Sequence, residues 1–296
     1  MSLGVDLVPK KVCSLNCVYC EAGKTTSLTT EQAEYIPYAA IKDELIDYFT
    51  SNNPDPDCIT FSGAGEPTLH SQVKAIIELI RSYRPNISIA MITNGTLLTQ
   101  PQVREALLAT DIVLPSLDAV TDRVFRRINR PERHIDLAAC IQGLIDFRKV
   151  YSGKMYLEVF IIPGYNDDEA HLLKMSQILK EVNADQVQIN TLDRPGAVSR
   201  IRAASPDELQ RVVDILDLPN IQIISKVQPH TQAVAYRQDA ESAIFETIRR
   251  RPCTVDDLST ILGLHIDDIM HYIETLKTQN KVEGMALERG YFYKGL

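Results

Sequence analysis

Cys13-Ser14-Leu15-Asn16-Cys17-Val18-Tyr19-Cys20 closes an apolar stretch near the start of the chain, and its spacing decides how the rest is read. Iron–sulfur clusters are held by thiolates, normally four of them. Three closely spaced thiolates can hold three irons of a cubane and leave the fourth open to a ligand that is not protein. A catalytic zinc, with three protein ligands and one open position, uses a comparable set. A disulfide framework does not suit six cysteines in 296 residues with no leader peptide and no apolar run of membrane length. The expectation is a reduced, cytoplasmic protein with no membrane contact, the setting in which clustered cysteines bind metal. Cys58, Cys140 and Cys253 stand far apart among apolar neighbours and are expected to be buried as small hydrophobes.

Outward from the cysteines, short β-rich runs alternate with segments of helical period, the signature of βαβ units around a parallel sheet. Strands are expected near Leu3 to Val8, Cys58 to Phe61, Ile87 to Thr93, Asp111 to Leu117, Met155 to Ile162 and Gln186 to Thr191. Helices follow near Ala39 to Tyr48, His70 to Tyr83, Pro101 to Leu108, Asp136 to Tyr151, Asp167 to Val182 and Pro206 to Leu216. Pro101 and Pro206 suit a first helical turn, where the missing N–H costs nothing. Ile221 to Ile224 could add an edge strand. The fold class is α/β: six units make an open, partial (βα)6 TIM-like barrel, whose active site gathers at the carboxyl ends of the strands.

Those ends carry the unusual residues. Ser62-Gly63-Ala64-Gly65-Glu66-Pro67-Thr68 follows the second strand, and its glycines allow close approach of backbone to a ligand. Cys13-x-x-x-Cys17-x-x-Cys20 together with Gly65-Glu66-Pro67 one βα unit later resembles the radical S-adenosylmethionine (SAM) superfamily. The resemblance covers roughly residues 1 to 230, and implies that Cys13, Cys17 and Cys20 ligate a [4Fe-4S] cluster whose fourth iron is chelated by SAM. It places Gly65 and Glu66 at the SAM amino group and Tyr19 beside the adenine. It brings Asn94, Ser116 and Glu158 to the SAM carboxylate or ribose, and the backbone near Ile161 to Gly164 to the adenine. Caps and turns favour the same residue types.

Asn129-Arg130-Pro131, Pro163-Gly164-Tyr165-Asn166-Asp167 and Asp193-Arg194-Pro195-Gly196 extend the resemblance. They are most similar to the iron–sulfur oxidoreductases related to the wybutosine-synthesis enzymes of tRNA. Those enzymes have further N-terminal cysteines for a second cluster, whereas this sequence has only twelve residues before Cys13. The implied chemistry is reductive cleavage of SAM to a 5′-deoxyadenosyl radical that abstracts hydrogen from a substrate. A low-potential electron donor of flavodoxin or ferredoxin type is implied as partner. The substrate is a protein or peptide, a tRNA base or a small molecule. Arg130 and Arg194 could clamp an anionic group of it, as a planar guanidinium does, or be solvated loop residues.

Beyond residue 230 the pattern changes. Lys226 to Asp239 is polar and irregular, so residues 231–240 are expected as a linker between a barrel over 1–230 and a small domain over 241–296. Helices are expected over Glu241 to Arg250, Thr254 to Leu262 and Ile266 to Asn280, with Thr254 as an N-cap, then a hairpin from Val282 to Ala286 and Gly290 to Tyr293. Three helices and a hairpin resemble a winged helix. From Glu241 onward seven basic residues face nine acidic ones, and the whole chain has a formal net charge of −8. That balance favours a protein-contact or substrate-presenting module over a nucleic-acid reader. A second function class, an iron–sulfur regulator acting through the winged helix, would have no need of the Gly65-Glu66-Pro67 turn.

Overall fold

The computed structural model describes residues 2–51, 53, 55–224, 240–287 and 289–296. Its main sheet has seven parallel strands lying side by side in chain order. They are β1 (Ser2–Val5), β2 (Cys58–Phe61), β3 (Ser88–Thr93), β4 (Ile112–Pro115), β5 (Lys154–Phe160), β6 (Gln186–Asn190) and β7 (Ile221–Ile223). β1 and β7 are its two edges, so the curved sheet is an open barrel, and the expected edge strand is present. Parallel pairing throughout puts all the carboxyl ends on one side, which positions the site.

Each parallel pairing needs a crossover, and helices supply it. They are α1 (Tyr38–Thr50), α2 (Val73–Tyr83), α3 (Pro101–Leu107), α4 (Asp122–Ile128), α5 (Leu137–Val150), α6 (Glu169–Val182) and α7 (Pro206–Leu216). Val73, Ile76, Ile77 and Ile80 of α2 recur at three- and four-residue spacing and are all buried. α7 starts on a capping box between Ser205 and Glu208, with Pro206 in its first turn, and Pro101 occupies the same place in α3. α4 was not expected. Between β4 and α5, where no element was assigned, lies a two-turn helix whose Val124, Phe125 and Ile128 turn inward. Pro67–Leu69 and Thr96–Thr99 wind as single 3₁₀ turns, so α2 begins three residues later than the periodicity suggested.

The expected linker lies outside the described residues, except for Ala240, which opens α8 (Ala240–Arg250). After it come α9 (Val255–Leu262), α10 (Ile266–Thr278) and an antiparallel pair, β8 (Val282–Leu287) and β9 (Gly290–Gly295). Thr254 and Asp257 make the expected capping box at the start of α9. This segment has its own core of Ile244, Ile248, Leu258, Ile269, Ile273 and Leu276, separate from the large core inside the barrel. Among the lone cysteines, Cys253 is buried as expected. Cys58 and Cys140 are half-buried, a correction to the reading of all three as core residues.

Candidate functional site

The cysteine loop leaves β1 and crosses the strand ends. Lys11 takes a left-handed conformation (φ 67°) and donates its N–H to the Ala64 carbonyl at 2.9 Å, while Val12 accepts from the Glu66 N–H at 3.0 Å. These bonds lay the loop against the Gly65-Glu66-Pro67 turn. A Cβ on Gly65 would stand 2.3 Å from the Val12 oxygen, so the glycine is required by the cysteine segment itself. Beneath the loop, Leu15 and Val18 pack on Val124, Phe125, Ile128, Phe160 and Ile162, a small core that α4 completes.

Each of the three sulfurs faces a donor. The Lys11 ammonium lies 3.0 Å from Cys20 Sγ, the Asn129 amide 3.5 Å from Cys17 Sγ, and both the Asn94 amide and the Leu15 N–H 3.5 Å from Cys13 Sγ. Burial pushes the Cys13 thiol up to about 12 and the Cys17 thiol well above its usual range. Burial thus favours the neutral thiol at Cys13 and Cys17, a preference that binding a cation opposes. Among the described residues, no three His, Cys, Asp or Glu side chains converge as the ligands of a single metal ion do.

Glu66 is 2% exposed and joins the ends of β2 and β3. Its Oε1 accepts from the Thr68 N–H (3.1 Å) and from the hydroxyls of Thr68 and Thr93 (both 2.6 Å), and its Oε2 accepts from the Asn94 N–H (2.7 Å). Burial raises its pKa, while these donors oppose the rise. With three donors on Oε1 and one on Oε2, Oε2 keeps acceptor capacity for a further N–H.

The remaining expected residues fall into two groups further along the strand ends. Ser116 donates to Glu158 Oε2 (3.2 Å) and Asn190 to Glu158 Oε1 (2.9 Å), linking the ends of β4, β5 and β6. The Tyr19 ring stacks on Phe160 at 4.0 Å between centroids, and its hydroxyl donates to Asp118 at 2.5 Å. Asp118 is buried and also accepts from Asn129 (2.6 Å) and the Phe160 N–H (2.9 Å). Burial raises its pKa to about 6. A small cavity bordered by Asn94, Ser116, Asp118 and Asn129, among others, opens beside these groups.

Of the two arginines, Arg194 departs from the expectation. Arg194 is not free to clamp a ligand: its side chain is 14% exposed and faces Glu21 (3.5 Å), Asp257 (3.6 Å) and Asp193 (4.0 Å). The reason is the C-terminal segment, which brings Asp257 of α9 and Arg289 onto the loop after β6. Arg289 bonds both Asp193 and Asp257 there. Arg130 is exposed, and its carbonyl, with that of Asn129, holds the Asn16 N–H. Lys11 and Asn129 were not foreseen as site residues. Asn129 stood in a quoted motif, whereas nothing in the sequence shows that Lys11 folds back onto Cys20.

A family model described as the radical SAM superfamily matches residues 7–175. The chain belongs to the radical SAM superfamily. It is 30% identical over 283 residues to a UPF0026 protein of Helicobacter pylori, covering 95% of this chain and 89% of that protein. It is 34% identical over 289 residues to a protein of Brachyspira hyodysenteriae named GTPase Obg, covering 95% of this chain but only 41% of that one. Among solved structures, a radical SAM methyltransferase from Sphaerobacter thermophilus shares the fold. Its TM-score is 0.58 at 16% identity, over 75% of this chain and 65% of that one. This radical SAM enzyme uses a [4Fe-4S] cluster and SAM. The donor set fits the cluster, since three thiols spread over one loop each meet an N–H or ammonium group that stabilises a ligating thiolate. No helix of the described residues is long and apolar enough to cross a membrane.

Proposed function

We propose that Cys13, Cys17 and Cys20 hold the [4Fe-4S] cluster and that the strand ends from β2 to β6 hold SAM. When bound, the pair supplies reductive cleavage of SAM and a 5′-deoxyadenosyl radical for hydrogen abstraction. The rest of the work falls to the chain. Lys11, Asn94 and Asn129 orient and stabilise the three thiolates. Glu66 offers Oε2 to the SAM amino group, with Gly65 keeping that turn against the cysteine loop. Ser116 and Glu158, already joined by a hydrogen bond, are placed for the ribose or carboxylate. Tyr19, held by Asp118 and Phe160, presents an aromatic face to the adenine. The apolar floor under the loop excludes water and stray hydrogen donors. Arg130 remains a candidate contact for an anionic substrate.

The observation that carries this reading is the junction at Asn94, whose side chain reaches Cys13 while its N–H reaches Glu66. Within the superfamily we place the chain in the iron–sulfur oxidoreductase group related to wybutosine synthesis, on the strength of Asn129-Arg130-Pro131 and Asp193-Arg194-Pro195-Gly196. Residues 1–230 act as the catalytic unit and 241–296 as a winged-helix-like unit for protein contact, a division supported by their separate cores. Asp267 and Asp268 in the first turn of α10 suit a helix N-terminus and would repel a phosphate backbone.

The test is anaerobic reconstitution with iron and sulfide, then dithionite reduction with SAM. The wild type should form 5′-deoxyadenosine, and Cys17→Ala should lose both the cluster absorbance and the product. An intact reduced cluster with SAM present and no 5′-deoxyadenosine would overturn the reading.

A further inference from the structure

Five arginines lie between positions 123 and 133 of a chain whose formal net charge is −8. α4 gives them an arrangement. Val124, Phe125 and Ile128 face the core under the cysteine loop, which leaves Arg123, Arg126 and Arg127 outward at i, i+3 and i+4, with Arg130 one turn further on. All four are exposed. Arg127 lies over the Tyr165 ring at 4.2 Å. Among the described residues, no carboxylate comes within ion-pair distance of Arg123, Arg126 or Arg130. Like charges at these spacings destabilise a helix. The fold nevertheless keeps this cationic stripe exposed.

Its position gives it a use. The Val18 N–H donates to the Ile128 carbonyl and the Asn16 N–H to the Asn129 carbonyl, both at 2.9 Å. Asn129 itself touches Cys17 Sγ. The exposed Arg130 is thus the immediate chain neighbour of a residue on a sulfur of the proposed cluster. Electron transfer weakens steeply with distance, so a reductant docks on surface close to the sulfurs.

We propose that the α4 arginine stripe is the docking face for the reductant, a small acidic one-electron carrier protein of flavodoxin or ferredoxin type. The proposal rests on the reading of Cys13, Cys17 and Cys20 as a cluster site. One electron leaves the carrier, whose cofactor is oxidised by one equivalent, and enters the cluster, which is reduced by one equivalent. No atom or proton moves. Transient redox complexes are small and depend on opposite charge for steering and orientation. An RNA would also be drawn to arginines. Arg123, Arg126 and Arg127, however, lie on the side of α4 turned away from Leu15 and Phe160, which pack beneath the cysteine loop.

The test compares the wild type with Arg123→Glu/Arg126→Glu, using a purified acidic flavodoxin as probe. Binding of the oxidised flavodoxin, followed by flavin fluorescence anisotropy, needs no cluster. The variant should bind at least roughly tenfold more weakly, and the wild-type affinity should fall with added salt. In reconstituted enzyme, the second-order rate of cluster reduction by photoreduced flavodoxin should fall by a similar factor. Dithionite-driven formation of 5′-deoxyadenosine should be unchanged. Equal flavodoxin affinity in the two proteins, or no saturable binding by the wild type, overturns the proposal. So does a loss of bulk tRNA binding with flavodoxin affinity retained, which would mark an RNA face. Failure of dithionite itself to support SAM cleavage would count against the cluster reading, whereas the anisotropy result would still judge the stripe.

Discussion

Gly65 shows how little freedom a single position has at the junction of the cysteine loop and the turn after β2. A methyl there would meet the Val12 oxygen at 2.3 Å and Val8 Cγ2 at 2.5 Å, and the first of these is backbone that cannot swing aside. Gly65→Ala should lower stability by ~2 kcal/mol in urea unfolding and reduce iron incorporation by pushing the cysteine segment away. Wild-type stability and iron content would contradict this. The sequence reading assigned the glycine to approach of a ligand. Its partner is instead another stretch of the same chain, a contact between residues far apart in sequence that no local pattern encodes. Asp118 is the other decisive residue. Its pKa, raised by burial from 3.8 to about 6, makes the folded protein bind this proton more tightly than the unfolded chain. Between about pH 4 and 6 the folded state therefore loses stability as pH rises, and the loss is complete above 6. Relative to Asp118→Asn, which cannot titrate, the wild type should gain ~1 kcal/mol on going from pH 7 to pH 5. Parallel pH profiles for the two proteins would count against the buried charge.

Elements meet through a few buried side chains, and Asn166 is the clearest. It is fully buried, donates to the carbonyls of Asp118 (2.9 Å) and Phe160 (2.8 Å), and accepts from the Ile162 N–H (3.0 Å). One side chain thus ties the end of β4 to the turn between β5 and α6. Asn166→Ala would leave two carbonyls and one N–H buried without partners, and should cost about 2–4 kcal/mol by chemical denaturation. A change under 1 kcal/mol would mean that water replaces these bonds. At this scale the sequence was a good guide where periodicity is long, as in α2, α5 and α6, and where caps are explicit, as at Ser205 and Thr254. It missed α4, which is only two turns long. Four of its seven residues are charged, and its three apolar positions acquire meaning only from the cysteine loop above them.

On the scale of the molecule, two cores are fastened by a small charged knot. Arg194 and Arg289 bridge Glu21, Asp193 and Asp257, so the residue following the last of the three cysteines is linked to α9. The open parallel sheet was legible because alternating βα units allow little else, and the cysteine trio and Gly65-Glu66-Pro67 turn were legible because ligand chemistry restricts spacing. Arg194 was misjudged because its partners come from segments up to 173 residues away in sequence. The central claim is that the three thiols hold a cluster with one iron left for SAM. The most direct measurement is the low-temperature electron paramagnetic resonance spectrum of the reduced, reconstituted enzyme, recorded without and with SAM. Binding of SAM at the open iron predicts a reduced-cluster signal whose g-values shift when SAM is added; identical spectra with and without it would contradict the account.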